Sequence, residues 1–183
     1  MRAAIFLTTV LTAALGGCQP SILPYYSITD VTSLSGLVGI WEPADGEEET
    51  WAITGDSSRY NIIHKTPERI KEFEMRLFKL NGKYFGDIVQ PIKYSQDAFD
   101  PDLYAQQHLL ARLILSGDTL QVGILNDEWF VQMIDDEAIT VPFVEMSSGY
   151  LITATADQMR PVILKYADDP DAFPIAALVR VGD

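Results

Sequence analysis

The sequence predicts a mainly β domain, an antiparallel up-and-down meander closed into a barrel or strongly curved, with two late helices that make it α+β by count. Three observations carry this. Short runs alternating apolar and polar residues recur from Gly36 onward, tight-turn signatures join pairs of them, and the period lengthens to that of a helix only after Asn126.

Gly39 to Glu42 forms the first strand, ended by Pro43, and Thr50 to Thr54 the second. Arg59 to Lys65 sets Tyr60, Ile62 and His64 on one face against Asn61 and Ile63. Ile70 to Leu80 sets Phe73, Met75 and Leu77 against Glu72, Glu74 and Arg76. Asn81-Gly82 supplies the positive backbone angles of a two-residue hairpin turn, and the return strand runs Lys83 to Val89 before Pro91. A polar loop carrying Asp97, Asp100, Pro101 and Asp102 precedes a second hairpin, His108 to Leu115 and Thr119 to Ile124 around Ser116-Gly117-Asp118. Asn126 or Asp127 caps a helix whose Trp129, Phe130, Met133 and Ile134 form an apolar stripe, expected to plug or cover one barrel end. After a strand near Gly149 to Thr153, Thr155 and Gln158 read as a capping box opening a second helix to about Ala167. Pro161 predicts a bend there or a later start. Ile175 to Val181 closes the chain as a strand.

The first residues follow a different logic. Arg2 precedes an uncharged stretch from Ala3 to Leu15, the length of a signal-peptide core and too short to span a bilayer. Leu15-Gly16-Gly17-Cys18 resembles the lipobox of bacterial lipoproteins, which implies removal of residues 1–17 and a lipidated Cys18. Residues 18–35 then read as lipidated N-terminus and tether, rich in Pro, Ser and Thr, with Tyr25, Tyr26 and Ile28 able to dock on a domain spanning 36–183. By the same resemblance, Gln19 after the cysteine implies the outer membrane, facing the periplasm. Two or more acyl chains hold firmly, so lipid rather than protein makes the expected membrane contact.

Cys18 is the only cysteine, which excludes a disulfide, a thiol-held metal and a Cys-His nucleophile. Removing Arg2 with the signal leaves 12 basic against 26 acidic residues, a net charge of −14. No cluster of Lys and Arg offers a nucleic-acid surface. The acidic clusters, Asp45 to Glu49 among them, lack the spacing of a calcium loop and read as solvated turns, so neither metal nor cofactor is expected. Two histidines are present, His64 on a strand face shared with Tyr60 and Ile62, and His108 at a strand start that reads as exposed. No catalytic signature accompanies them, and the chain reads as non-enzymatic.

Leu37-Val38-Gly39-Ile40-Trp41 resembles the Gly-x-Trp first strand of lipocalins, and the hairpins through Leu125 fit the same barrel. The blocks His108 to Asp118 and Leu151 to Phe173 are similar to bacterial lipoproteins with no assigned activity. Two helices separated by a strand depart from the single late helix of a lipocalin. The resemblance implies that Trp41 is buried near one barrel end and that a basic residue of the last strand, Arg180, packs over it to mark closure. Arg180 reads equally well as solvent-facing, with Arg112 as a rival. Trp51, Tyr60, His64, Phe73 and Tyr84 are the candidates to line the interior. Two functions follow: an envelope lipoprotein holding a lipid or other apolar small molecule, or a filled barrel whose acidic surface docks on an envelope protein partner.

Overall fold

A computed structural model of the chain describes residues 19–91, 106–146 and 149–182, so the signal segment, Cys18 and the Asp97 to Asp102 cluster lie outside the described residues. Its strands are β1 (Pro20–Ser21), β2 (Gly39–Pro43), β3 (Thr50–Asp56), β4 (Arg59–Lys65), β5 (Ile70–Leu80), β6 (Lys83–Val89), β7 (His108–Ser116), β8 (Thr119–Ile124), β9 (Phe143–Met146), β10 (Gly149–Ile152) and β11 (Ile175–Arg180). Helix α1 (Asp127–Asp135) and helix α2 (Ala156–Tyr166) fall between β8 and β11.

β2 to β8 and β11 form a closed eight-stranded antiparallel barrel of lipocalin-like architecture. Each of β2 to β7 pairs with the next, and β11 closes the ring between β8 and β2. Strand polarity sorts the connections. The β3–β4, β5–β6 and β7–β8 turns lie at one end, while the β2–β3, β4–β5 and β6–β7 connections and the helical insertion leave from the other. The Asn81-Gly82 turn has positive φ at both residues, 46° and 84°, as the dipeptide predicts.

Alternation along the strands separates two cores. Inside the barrel, Trp41, Ile53, Tyr60, Ile62, Phe73, Met75, Leu77, Leu113, Leu120 and Leu178 pack together over Leu37. This lumen is tightly filled at mid-height: a Cβ on Gly86 would stand 2.5 Å from Met75 Sδ and 3.2 Å from Leu113 Cδ1. Outside it, Phe78, Leu80, Phe85 and Leu110 of the barrel wall pack against Phe130 of α1 and Met159 and Ile163 of α2. Each such side chain contributes about 1.5 to 3 kcal/mol on burial.

That second core corrects one expectation. The apolar stripe of α1 does not plug a barrel end but covers the outer wall, where Phe130 is fully buried and Trp129 meets Tyr166 of α2 edge-on at 4.9 Å. β5, β6 and β7 carry apolar residues on both faces at Phe78, Phe85 and Leu110, and such strands need cover on both sides. Both helix caps form as the sequence predicts: the Asn126 side chain accepts from Glu128 N and Trp129 N, and Thr155 pairs reciprocally with Gln158. α2 starts at that box and runs through Pro161. The carbonyl that Pro161 leaves without a helical donor belongs to Asp157, an exposed residue of the first turn, where water can satisfy it.

The segment that composition presents as a tether is folded onto the barrel. β1 pairs with the start of β7 and, in parallel, with β10. Gln19 and Ser21 are buried, Gln19 N donates to the Leu125 carbonyl, and Thr32 N donates to that of Leu77. Asp30 of a 3-10 turn, Ile28–Asp30, pairs with Arg160 of α2 at 2.5 Å. β9, unforeseen in the sequence, forms a hairpin with β10, and all four of its residues are exposed, so no burial alternation marks it.

Candidate functional site

The two ends of the lumen differ in access. Trp51, Ile88, Leu109, Ile124 and Ala176 point inward by strand alternation at the end from which the helical insertion leaves, and all are half-buried. Below them, Ile53, Met75, Ala111, Leu113 and Leu120 are buried. Among the described residues the inward-facing apolar side chains are thus half-buried at this end, called the cup below, and buried beneath it.

A polar cluster stands at the mouth of that cup. His64 of β4 and Trp51 of β3 are register partners, and their rings stack at 3.9 Å and 14°. The β2–β3 connection ends at Glu49, whose carboxylate accepts from His64 Nε2 at 2.8 Å and from Trp51 Nε1 at 3.1 Å. Both partners are sequestered, with side-chain exposures of 7% for His64 and 9% for Glu49. In the neutral form of the imidazole, a carboxylate on Nε2 places the proton on that nitrogen and leaves Nδ1 as the acceptor. Nδ1 is buried and has no hydrogen-bond partner. A buried acceptor left bare costs about 1 to 3 kcal/mol, which a ligand donor would recover. Outside Glu49, a groove of about 540 Å³ between the β2–β3 loop and the β4–β5 turn is lined by Glu42, Glu47, Glu48 and Lys65 among others. Among the described residues no group of three or more His, Cys, Asp or Glu side chains is arranged to hold a metal ion.

The opposite end is a floor. Trp41 is fully buried and its Nε1 donates to the Leu37 carbonyl at 3.0 Å. Arg180, the register partner of Trp41 on β11, places its guanidinium 4.3 Å from the indole and donates to the carbonyls of Val38, at 2.9 Å, and Gly36. Gly39 makes room for it, since a Cβ there would collide with the guanidinium. Arg112 faces the other way, over Phe85 at 5.3 Å on the outer wall. Its guanidinium is held below its usual pKa by burial, against the pull of Asp168.

The five candidate lining residues therefore divide. Trp51 and His64 meet at the mouth, and Phe73 lies beneath them as the register partner of Ile62. Tyr60 belongs to the floor, its hydroxyl accepting from Leu34 N at 3.2 Å. Tyr84 sits half-buried at the floor's rim beside Lys79, whose Nζ donates to its hydroxyl at 3.3 Å. Glu49 went unseen because it closes an acidic run that reads as a solvated turn; its place two residues before a strand tryptophan is the one local signal.

His108 is also not the exposed strand end that its polar neighbours suggest. Its Nδ1 lies 2.6 Å from Asp87 Oδ1, and the other oxygen of that buried carboxylate accepts from Tyr25 N at 2.7 Å. Burial first, then the charge of Asp87, push the Tyr25 phenol far above its usual range. This cluster lies on the outer wall and pins the N-terminal segment. Compared with known proteins, the chain matches no family model, no curated protein and no solved structure.

Proposed function

We propose that this protein is a non-enzymatic, lipid-anchored protein of the bacterial envelope whose cup binds an apolar small molecule bearing a hydrogen-bond donor. The observation that carries this is the buried, unpartnered His64 Nδ1 beside inward-facing apolar side chains that are only half-buried, so that a ligand meets it by displacing the side chains that cover it. The apolar walls take the body of the ligand, and Nδ1 takes a hydroxyl or amide proton, so a lipid-like alcohol or amide fits the site. Trp51 and Glu49 hold the imidazole in place. The floor closes the barrel and takes no part in binding.

The test uses the purified domain and N-phenyl-1-naphthylamine, an apolar N–H donor whose emission rises in apolar surroundings. Emission should rise on mixing, fall as a long-chain alcohol is added, and respond weakly in Trp51→Ala. Mass spectrometry of organic-extractable material should find a bound apolar compound. A flat probe titration together with an empty extract would overturn the binding reading and leave the filled barrel that docks on a protein partner.

The anchor reading rests on Leu15-Gly16-Gly17-Cys18 and the apolar stretch before it. Among the described residues no helix is long and apolar enough to cross a membrane. Cys18→Ala should give an unprocessed or secreted, unlipidated protein. Its retention in membranes after a high-salt wash, with cleavage at the same place, would refute a lipid anchor.

A further inference from the structure

Gln19, the residue after Cys18, is buried, its backbone N–H held by the Leu125 carbonyl and its side-chain amide donating to the Tyr150 carbonyl at 2.5 Å. There is no slack between the modification site and the domain, since consecutive Cα atoms are about 3.8 Å apart. A lipidated Cys18, with its chains in the bilayer, must bring this corner of the fold to the headgroups.

That corner exposes apolar side chains around a single carboxylate, Glu145 of β9. Ile22 and Leu23 follow β1, and Phe143, Val144 and Met146 lie on β9, two strands from β1; all five are between 36% and 51% exposed. At about 4.8 Å between strands, β9 stands roughly 10 Å from β1. Among the described residues β9 pairs only with β10, leaving its outer edge open, and open apolar edges are normally covered or charged. From Asn126 to Met159 the sequence has no Lys or Arg, so attraction to anionic headgroups is not what would seat this surface.

The geometry points to a membrane-docking face: the β9–β10 hairpin with Ile22 and Leu23 rests in the interfacial layer of the bilayer that holds the Cys18 lipid. The inference rests on the lipid-anchor reading above. Side chains of this kind bury about 5 to 10 Å into the headgroup and acyl boundary. β1 joins β7 where the β6–β7 connection ends, at the open end of the barrel. The anchor thus holds the mouth of the cup near the leaflet, where a lipid-like ligand is met.

The lone native thiol is consumed by the anchor, so one added cysteine labels uniquely. Full-length lipidated Val144→Cys and Ser57→Cys proteins, each carrying a nitrobenzoxadiazole label, are reconstituted into phosphatidylcholine vesicles with spin-labelled acyl chains. The label at 144 should be blue-shifted and quenched, and the label at 57, on the far β3–β4 turn, neither. The shift at 144 should persist in high salt. Water-like emission at both positions, in protein that floats with vesicles and has a lipidated mass, overturns the docking face and leaves the anchor standing. Failure to float, with an unlipidated N-terminus, removes both. In native membranes, a label at 144 shielded from iodide but untouched by spin-labelled lipid would assign the face to a protein partner and overturn the inference.

Discussion

Trp41 and Trp51 are cross-strand partners on β2 and β3, yet they build opposite ends of the barrel. The Trp41 indole points back toward the Leu37 carbonyl, is fully buried and lies under the Arg180 guanidinium. The Trp51 indole points toward Glu49, stays half-buried and stacks on His64. At the floor the polar atoms around the ring have partners, Nε1 on Leu37 and the guanidinium on Val38 and Gly36. At the mouth one imidazole nitrogen is left bare. Saturated polar contacts and complete burial make the floor a plug, whereas the bare nitrogen beside half-buried apolar side chains is what the proposed binding site rests on.

The contrast breaks most readily by truncation. Trp41→Ala should cost about 3 to 5 kcal/mol, because a fully buried indole leaves a cavity in a filled lumen. Trp51→Ala, at a site water already reaches, should cost less than half of that. Equal losses in urea denaturation would erase the distinction between floor and mouth.

Next in size is His64→Phe, which keeps the ring on Trp51 but takes a partner from the buried Glu49 carboxylate. A loss of about 1 to 3 kcal/mol is expected, and adding Glu49→Gln should recover part of it. Probe binding should fall in both variants, which separates the loss of Nδ1 from the loss of stability. Full affinity in a folded His64→Phe protein would dismiss Nδ1 as the ligand's partner.

The floor has its own test in a double-mutant cycle of Trp41→Leu and Arg180→Gln. Coupling of about 0.5 to 2 kcal/mol is expected for a guanidinium over an indole face. A value within error of zero would reduce Arg180 to a hydrogen-bonding latch on Gly36 and Val38.

The smallest effect belongs to neither end. On the outer wall, Lys83 first and Arg112 after it hold the Asp168 carboxyl below the usual carboxylate range. A group so depressed contributes its full share of stability above its ordinary pKa and loses it as pH falls through the lowered value. Asp168→Asn should therefore cost at most about 1 kcal/mol at neutral pH, less in high salt, and nothing at strongly acidic pH. A loss that persists in acid would mean that Asp168 acts through packing.

Much of the barrel was legible because its strands keep a period of two and its turns carry their own chemistry, as at Asn81-Gly82 and Ser116-Gly117-Asp118. The helix caps at Asn126 and Thr155 were legible for the same local reason. Half of the mouth was visible too, since His64 shares a strand face with Ile62 and Tyr60. Glu49 was hidden, because an acidic residue in a loop looks alike whether it faces water or turns inward.

By itself, then, the sequence determined the eight barrel strands, their order and the helix starts, all of which follow from interactions within a few residues, and it left β1 and β9 unmarked. It also offered Trp41 and Arg180 as a pair only through a resemblance, because their separation in the chain leaves no local trace. Tertiary structure alone decided that the stretch from Gln19 to Leu34 packs on the barrel and that α1 covers its wall. It decided as well that Asp87 holds both His108 and Tyr25. The physical reason is common to all three: each depends on which buried surface lies opposite, and burial is a property of the closed sheet, not of the segment placed against it.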